Sequence, residues 1–512
     1  MATAVKKKAA KKATPAAGGG KIDNVVIRMY CLGTGDCFIL KYRSGTKERF
    51  TMMIDCGTCQ GTAAEVRPYL ENLAAYVGNK VDLLVVTHEH NDHVNGFAKC
   101  EDIFKQFSIG EAWFAWTEEP GDPGGMAAEL QKKRSRMKMA LHNSLVEMKK
   151  RHAALEKSDN TNFYKPALVE CGKAFLNGLQ TLADINLAAD GGDGDGGNPL
   201  PGMVKIKALL KSKKVKTKYL HPGDTVTANG LPGVQFHVLG PPTDRDFVFK
   251  DGKEGTDVYK RNKALTDSAL AANAFLNLAA NNGGTTNDLP FAKEYIVPFV
   301  KGAPADGQDT TAAVVDSYRD KGNSWRTIED DWLSSAGSLA LRLNSHINNT
   351  SLALALEFDG TDNIVLFPGD AEYGSWESWH LIEKWKTRGK NNKPFAEELL
   401  NRALFYKVGH HLSYNGTALE KGIMMMNNPK LVSMATLDRS RISKGWKTTM
   451  PNKELMKELI RRCQGKVFIM NEFDIADGPS KTLDPASLGK AYVSENLKGK
   501  KDRMYIQYTL NL

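Results

Sequence analysis

The sequence has no apolar run long enough to cross a membrane. No uninterrupted apolar stretch reaches the roughly 18–20 residues that a transmembrane helix requires. The first residues, MATAVKKKAAKKATPAAGGG, carry lysines but lack the apolar core and cleavage site of a secretory signal. We therefore expect a cytoplasmic protein with no membrane partner.

Cysteine is also scarce. The 512 residues include seven cysteines, scattered and odd in number, which argues against a disulfide framework. Hydrophobic residues make up 41% and charged residues 25% of the chain, which is ordinary for a globular protein.

Positive charge is concentrated near the start of the chain. The formal net charge is +10, and five lysines lie within the first 12 residues. Residues 1–21 are rich in Ala, Lys and Gly, so we predict a disordered basic tail. Such a tail could contact nucleic acid or another anionic surface, although a solubilising role is the simpler interpretation.

The rest of the chain, residues 22–512, alternates between strand-like and helical patterns. Apolar runs predict strands, and longer amphipathic stretches predict helices. Two segments, about 106–232 and 241–335, are more polar and resemble insertions. We predict strands at 25–42 (two, around a Gly turn), 50–55, 81–87, 234–239, 338–343, 351–358, 363–367 and 404–408, and helices at 65–77, 126–155 and 165–187.

The strongest motif follows the apolar run VDLLVVT. Residues 87–96 read THEHNDHVNG and place His88, His90, Asp92 and His93 within six residues. Imidazole and carboxylate together suit zinc, and also manganese or iron. Because only 11 histidines occur in the chain, this clustering indicates a metal site more readily than a chance polar loop.

This motif resembles the HxHxDH signature of the metallo-β-lactamase superfamily. The resemblance implies an α/β fold, a four-layer αββα sandwich, with large, mainly helical and loop insertions. The closest resemblance is to the ComEC-like branch of competence proteins and its uncharacterised free-standing bacterial relatives. It rests on LGTGD (residues 32–36), NNTSLAL (348–354) and HHLS (410–413), and the segments WRTIEDDWL (325–333) and FPGDAEYGSW (367–376) are similar to those relatives.

The resemblance assigns roles to individual residues. It implies that the metal ligands are His88, His90, Asp92, His93, Asp370 and His411, with Asp370 bridging two ions. His410 would face the substrate, although the order of the two histidines stays open. Asp92, Asp370 and His410 are thus the candidate catalytic residues, and Asp55, Asp36 and Asn349 would support the ligands without binding metal.

One departure from the superfamily pattern concerns the metal site of His88 and His90. Most members supply another histidine before the bridging Asp, but here Asn348 or Asn349 stands at that position. We therefore expect this site to be looser, or to be completed by water, substrate or Asp370. His346 is a less favoured replacement. One or two Zn²⁺ ions, or Mn²⁺ or Fe, remain alternatives.

The resemblance predicts a metal-dependent hydrolase, with a phosphodiesterase or nuclease as the first hypothesis. Hydrolysis of carboxylic esters, lactones or thioesters is the second, because this fold supports many chemistries. A partner-binding module of a multi-protein system, acting through the two insertions, is the third. The basic run at residues 205–218 could follow a phosphate backbone, so nucleic acid is a candidate substrate.

Overall fold

Two mixed β-sheets face each other at the centre of the protein. The computed structural model describes residues 21–122, 125–157, 200–260, 343–389, 393–442, 450–471 and 485–512, together with residue 447 and scattered positions of 173–187. The strands in this part are β1 (Asn24–Tyr30), β2 (Phe38–Ser44), β3 (Lys47–Ile54), β4 (Lys80–Val86), β5 (Ser108–Ala115), β6 (Lys216–Leu220), β7 (Thr225–Val226), β8 (Val234–Gly240), β9 (Ala353–Phe358), β10 (Ile364–Phe367), β11 (Ala403–Lys407), β12 (Val432–Asp438), β13 (Val467–Asn471), β14 (Tyr492–Asn496) and β15 (Arg503–Asn511).

Both sheets combine an antiparallel part with a parallel part. The eight-stranded sheet has the order β14-β15-β1-β2-β3-β4-β5-β6, and strands β3 to β6 are parallel. The seven-stranded sheet has the order β13-β12-β11-β10-β9-β8-β7, and strands β10 to β13 are parallel. Each parallel part gathers the carboxyl ends of its strands along one edge, where loops can bring side chains together.

The main core lies between the two sheets. The rings of Phe38 and Phe367, one from each sheet, meet edge to face with centroids 5.5 Å apart. Trp113 and Phe236 make the same kind of contact at 4.9 Å. Because side chains alternate along a strand, Leu354 of β9 lies in this core while its neighbours pack on the opposite side, where a second core separates the seven-stranded sheet from its helices.

Helices cover the outer faces of both sheets. The first helix begins at a capping box formed by Thr62 and Glu65, and it ends at Gly78, whose φ of 62° is readily adopted by glycine. The described helices are α1 (Ala63–Val77), α2 (Asn91–Lys99), α3 (Glu101–Lys105), α4 (Met126–Lys157), α5 (Pro201–Ser212), α6 (Arg245–Val248), α7 (Tyr373–Trp379), α8 (Phe395–Asn401) and α9 (Lys453–Arg462), with short 3-10 turns between them.

The layered α/β sandwich expected from the sequence is confirmed. Of the helices in the described ranges, none combines the length and apolar character needed to cross a bilayer. A strand was predicted at 338–343, and this prediction is wrong for Leu343, because a short helical segment, 343–348, begins there. Helical spacing there places Asn344 and Asn348 on one face, and both contact His410. Strands β12 to β15 were not predicted.

The two predicted insertions are described only in part. The first, 106–232, contains α4 and α5, but its ends form β5, β6 and β7, which are hydrogen-bonded members of the two sheets. In the second, 241–335, the described residues 241–260 include α6. The remainder, including the WRTIEDDWL segment, and much of the helix predicted at 165–187 lie outside the described residues.

Candidate metal centre

The candidate site forms where the carboxyl edges of the two sheets meet. Asp55 follows β3, and His88 comes two residues after the end of β4 in the eight-stranded sheet. Asp370 follows β10, and His410 and His411 follow β11 in the facing sheet. The chain topology therefore brings together side chains that are far apart in sequence, such as Asp92 and His411, which are separated by 319 residues.

The first two motif histidines face each other. His88 Nε2 lies 3.0 Å from His90 Nδ1. Two nitrogens bound to one tetrahedral zinc at about 2.05 Å would lie roughly 3.3 Å apart, so this pair is nearly in chelating geometry. The other nitrogen of His88 contacts Thr87 Oγ1 at 3.0 Å and Ser351 Oγ at 3.2 Å, which fixes the orientation of the ring.

The other four predicted ligands form a second group. His411 Nε2 lies 2.9 Å from Asp92 Oδ2 and 3.2 Å from Asp370 Oδ2. His93 Nε2 lies 3.2 Å from the same Asp370 oxygen. All four side chains are buried. The structure thus brings together two residues of the sequence motif, Asp92 and His93, with two that the resemblance predicted, Asp370 and His411.

The donor set around this group suits a cation. Three of its members, His93, Asp370 and His411, have ligand atoms that lie with one of Asp36, rather than Asp92, all within 4.8 Å of one another. His93 Nε2 and Asp92 Oδ1 are buried and make no hydrogen bond. Buried polar atoms without partners are unusual, and here they face imidazole and carboxylate groups that bind divalent metals well.

Electrostatics support the same conclusion. Burial alone would lower the pKa of His93, but the carboxylates of Asp370, Asp36 and Asp92 raise it well above its usual range. In the same way, burial is outweighed at His411 by Asp370 and Asp92, which raise its pKa to about 9. The converging carboxylates thus favour positive charge at the two imidazoles, and a divalent ion would supply that charge in place of protons.

Asp55 orients His93 from behind. Its Oδ2 lies 2.8 Å from His93 Nδ1, and its Oδ1 accepts a hydrogen bond from the backbone N–H of Thr87 at 2.7 Å. The carboxylate therefore favours a proton on Nδ1 and leaves Nε2 free to bind metal. This contact corresponds to the supporting role that the resemblance implies for Asp55.

A buried lysine connects two more carboxylates. Lys407 Nζ donates to Asp36 Oδ2 at 2.6 Å, to Asp370 Oδ1 at 2.8 Å and to the carbonyl of Gly369 at 3.0 Å. Asp36 also accepts a hydrogen bond from Thr436 Oγ1 at 2.6 Å, and that hydroxyl contacts His411 Nδ1 at 2.9 Å. Lys407 thus occupies one oxygen of Asp370 and directs the other towards the histidines.

His410 points away from His411. Three consecutive residues, His410, His411 and Leu412, have φ values of 45°, 48° and 65°, a left-handed turn that is costly outside glycine. The turn places the His410 ring near Glu372 and Asn415. Burial lowers the pKa of His410 to about 4, so the ring is neutral near pH 7.

The asparagines before Asp370 do not replace the missing histidine. Asn348 Nδ2 donates to Glu372 Oε1 at 2.8 Å and lies 3.4 Å from His410 Nε2. Asn349 accepts hydrogen bonds from the backbone N–H groups of Glu372 and Ser375, so it positions the chain after Asp370. His346, the other candidate, stacks on Phe249 instead.

Comparison with known proteins agrees with this geometry. Residues 33–133 match the family model of the metallo-beta-lactamase superfamily, so a domain of this superfamily is identified there. The match contains His88, His90, Asp92 and His93, whereas Asp370 and His411 lie beyond it. No curated protein and no solved structure matches the chain. The closer resemblance to the ComEC-like branch stays a prediction.

Several residues of the site were missed in the sequence. Lys407 is the one with a clear signal, because a charged residue inside the apolar run ALFYKV needs a buried partner. Glu372, Ser351 and Thr436 carry no such signal. Asn186, which lies 3.1 Å from His90 Nε2, is in a segment that the sequence marked only as a helix.

Proposed function

We propose that the protein is a metal-dependent phosphodiesterase, with nucleic acid as one candidate substrate. The observation that carries the proposal is the convergence of six buried ligand candidates at the edge of a metallo-beta-lactamase superfamily domain. The resemblance to the ComEC-like branch supports the choice of a phosphodiester over a carboxylic ester. The cytoplasmic location expected from the sequence stays part of the proposal.

The residues have distinct parts in such a reaction. A divalent ion, when bound, supplies hydroxide at neutral pH by lowering the pKa of water from ~15.7 towards ~7. Asp92, held by His411 Nε2 at 2.9 Å, keeps one oxygen without a hydrogen bond and is the first candidate to accept a proton. Asp370 is a second candidate, and His410 is a neutral hydrogen-bonding group for the substrate.

The two groups of ligands would hold ions with different strength. Asp92, His93, Asp370 and His411 offer four ligands, enough to hold one ion tightly, and the water that it activates would be a fifth ligand. His88 and His90 offer two nitrogens, so an ion there needs water or substrate to complete its coordination. We propose one tightly bound Zn²⁺ and a second, weaker site, with Mn²⁺ or Fe as alternatives.

Three of the seven lysines in the basic run of α5 and β6 are paired with acidic residues within the protein. Lys205, Lys207 and Lys218 pair with Glu101, Glu118 and Glu111 at 2.8, 2.8 and 2.5 Å. These lysines are therefore not free to follow a phosphate backbone. A small phosphodiester fits the site as well as a nucleic acid does, and the choice is left to the substrate panel.

The test is a substrate panel with metal-loaded full-length protein. We expect hydrolysis of bis-nitrophenyl phosphate, single-stranded DNA or RNA, and at least a 100-fold loss in Asp370→Asn, because a carboxylate that would hold the ion is removed. Asp362→Asn is the matched control, since Asp362 is 90% exposed in the turn before β10. Activity on carboxylic esters alone would refute the phosphodiester assignment. Biological effects unchanged in Asp92→Ala/Asp370→Ala would favour the binding-module hypothesis.

A further inference from the structure

Helix α4 places two cations against the metal-binding loop. Arg134 and Lys138 lie one turn apart and are each only 2% exposed. Glu89, which stands between His88 and His90, lies 3.2 Å from Arg134 NH1 and 3.0 Å from Lys138 Nζ. A helix outside the predicted catalytic core therefore forms a wall directly beside the candidate centre.

Arg134 has donors that the protein does not use. Its NH2 donates to Glu118 Oε1 at 3.1 Å, but Nε and NH1 make no hydrogen bond of acceptable geometry. A guanidinium carries five N–H groups, and leaving them unpaired in a buried position is costly. An ion pair with Glu89 and Glu118 alone does not explain this arrangement.

His346 is the second group without partners. Its ring is 2% exposed and stacks on Phe249 with centroids 4.0 Å apart, yet neither nitrogen makes a hydrogen bond. Lys133, the residue before Arg134 on α4, places its Nζ 3.7 Å from the centre of the same Phe249 ring, so α4 runs beside His346. Burial and the charge of Arg134 lower the pKa of His346, so the neutral ring offers one donor and one acceptor.

The short helical segment 343–348, which carries His346, also contacts the metal centre through its opposite face. Asn344 and Asn348, on either side of His346, both contact His410 Nε2. Asn348 Oδ1 is another buried atom without a partner. Unused polar atoms thus occur on α4, which contacts Glu89 of the metal-binding loop, and on residues 343–348, which contact His410.

We propose that Arg134 and His346 form an anion-binding subsite that holds a phosphate oxygen of the substrate beside the metal centre. This inference rests on the proposed hydrolase function and specifies its substrate as anionic. Phosphate is a suitable occupant because its oxygens accept hydrogen bonds from the planar guanidinium and from imidazole N–H. Lys138, whose Nζ lies 3.0 Å from Glu89 Oε1, keeps that carboxylate in place.

Substitution of His346 distinguishes a role of this residue in anion binding from a purely structural role. His346→Leu removes two unpaired buried polar atoms, so the melting temperature should stay unchanged or rise. We expect the affinity of metal-free protein for inorganic phosphate to fall about tenfold in isothermal titration, the effect of one charge-assisted hydrogen bond. Metal-loaded protein should show a raised KM for bis-nitrophenyl phosphate with a smaller change in kcat.

Arg134→Lys is the second variant. It keeps the positive charge for Glu89 and Glu118 but loses the fork of donors, so phosphate binding should weaken while the protein remains folded. The control is His142→Leu, a half-buried histidine on the same helix, which should bind phosphate as the wild type does. Zinc content should be equal in all of these proteins.

The outcomes separate the subsite from the catalytic function. Phosphate binding that is absent in wild type, or equal in wild type, His346→Leu and Arg134→Lys, would overturn the subsite. Because this binding is measured without metal, it does not depend on turnover. A wild-type protein that binds phosphate through Arg134 and His346 but hydrolyses no phosphodiester would keep the subsite and refute the proposed reaction.

Discussion

The substitution Asp55→Asn tests whether Asp55 orients His93 for metal binding. The carboxylate accepts hydrogen bonds from Thr87 through both oxygens and faces His93 Nδ1 at 2.8 Å. An asparagine has one oxygen, so if it keeps the bond from the Thr87 backbone, its NH₂ group faces His93. The imidazole must then carry its proton on Nε2, the atom directed at Asp370 and at the candidate metal position.

The expected loss of zinc affinity in Asp55→Asn can be estimated from the contact between Asp55 and His93. Loss of a supporting carboxylate typically costs 10–100-fold in metal affinity, or about 1.4–2.7 kcal/mol. We expect a loss in that range for zinc, measured by competition with a chelating indicator on full-length protein. Asp82→Asn is the matched control, because Asp82 Oδ2 accepts a backbone N–H from Thr51 near the start of β4.

The reasoning would be refuted by a folded Asp55→Asn protein that binds zinc within twofold of the wild type. Far-ultraviolet circular dichroism and the melting temperature of the zinc-loaded protein check the fold. If Asp82→Asn lost as much affinity as Asp55→Asn, the effect would be a general weakening of the sheet rather than a change at His93.

Two further predictions concern the metal-free protein. Lys407→Met removes the buried partner of Asp36 and Asp370, so the free energy of unfolding in chelator should fall by about 3–5 kcal/mol, whereas the exposed Lys384→Met should change it little. A loss below ~1 kcal/mol in Lys407→Met would contradict the ion-pair account. His411 has its pKa raised from 6.5 to about 9, so its contribution is complete below pH 6.5 and is lost as pH rises to 9, a decrease of roughly 3 kcal/mol. Thermal unfolding should show this decrease in metal-free wild type and a smaller one in His411→Gln; equal decreases would contradict the assignment.

The central part of the fold could be predicted because its signals are local. The run VDLLVVT is apolar at nearly every position, as a strand between two parallel neighbours must be, and it forms β4. The motif after it supplies its own ligands within one loop. Helix α4 was predicted from Met126 to about Leu155 and is observed from Met126 to Lys157.

The rest of the site depends on contacts between distant segments. Lys407 lies against Asp36 only because β11 and the loop before β2 meet across the two sheets. No pattern in the sequence predicts this contact. Asn349 was predicted to support the metal ligands, and the partners that its amide group finds, the N–H groups just after Asp370 and the carbonyl of Val248, are likewise set by the tertiary structure. The left-handed turn at His410 and His411 is likewise set by tertiary packing, since neither residue favours it.

Anomalous diffraction at the zinc absorption edge, from crystals of the full-length protein, tests the central claim most directly. The account predicts a peak within about 2.0–2.3 Å of ligand atoms of His93, His411, Asp92 and Asp370, and a weaker peak or none beside His88 and His90. Crystals grown with zinc that show no peak among those four side chains would contradict it.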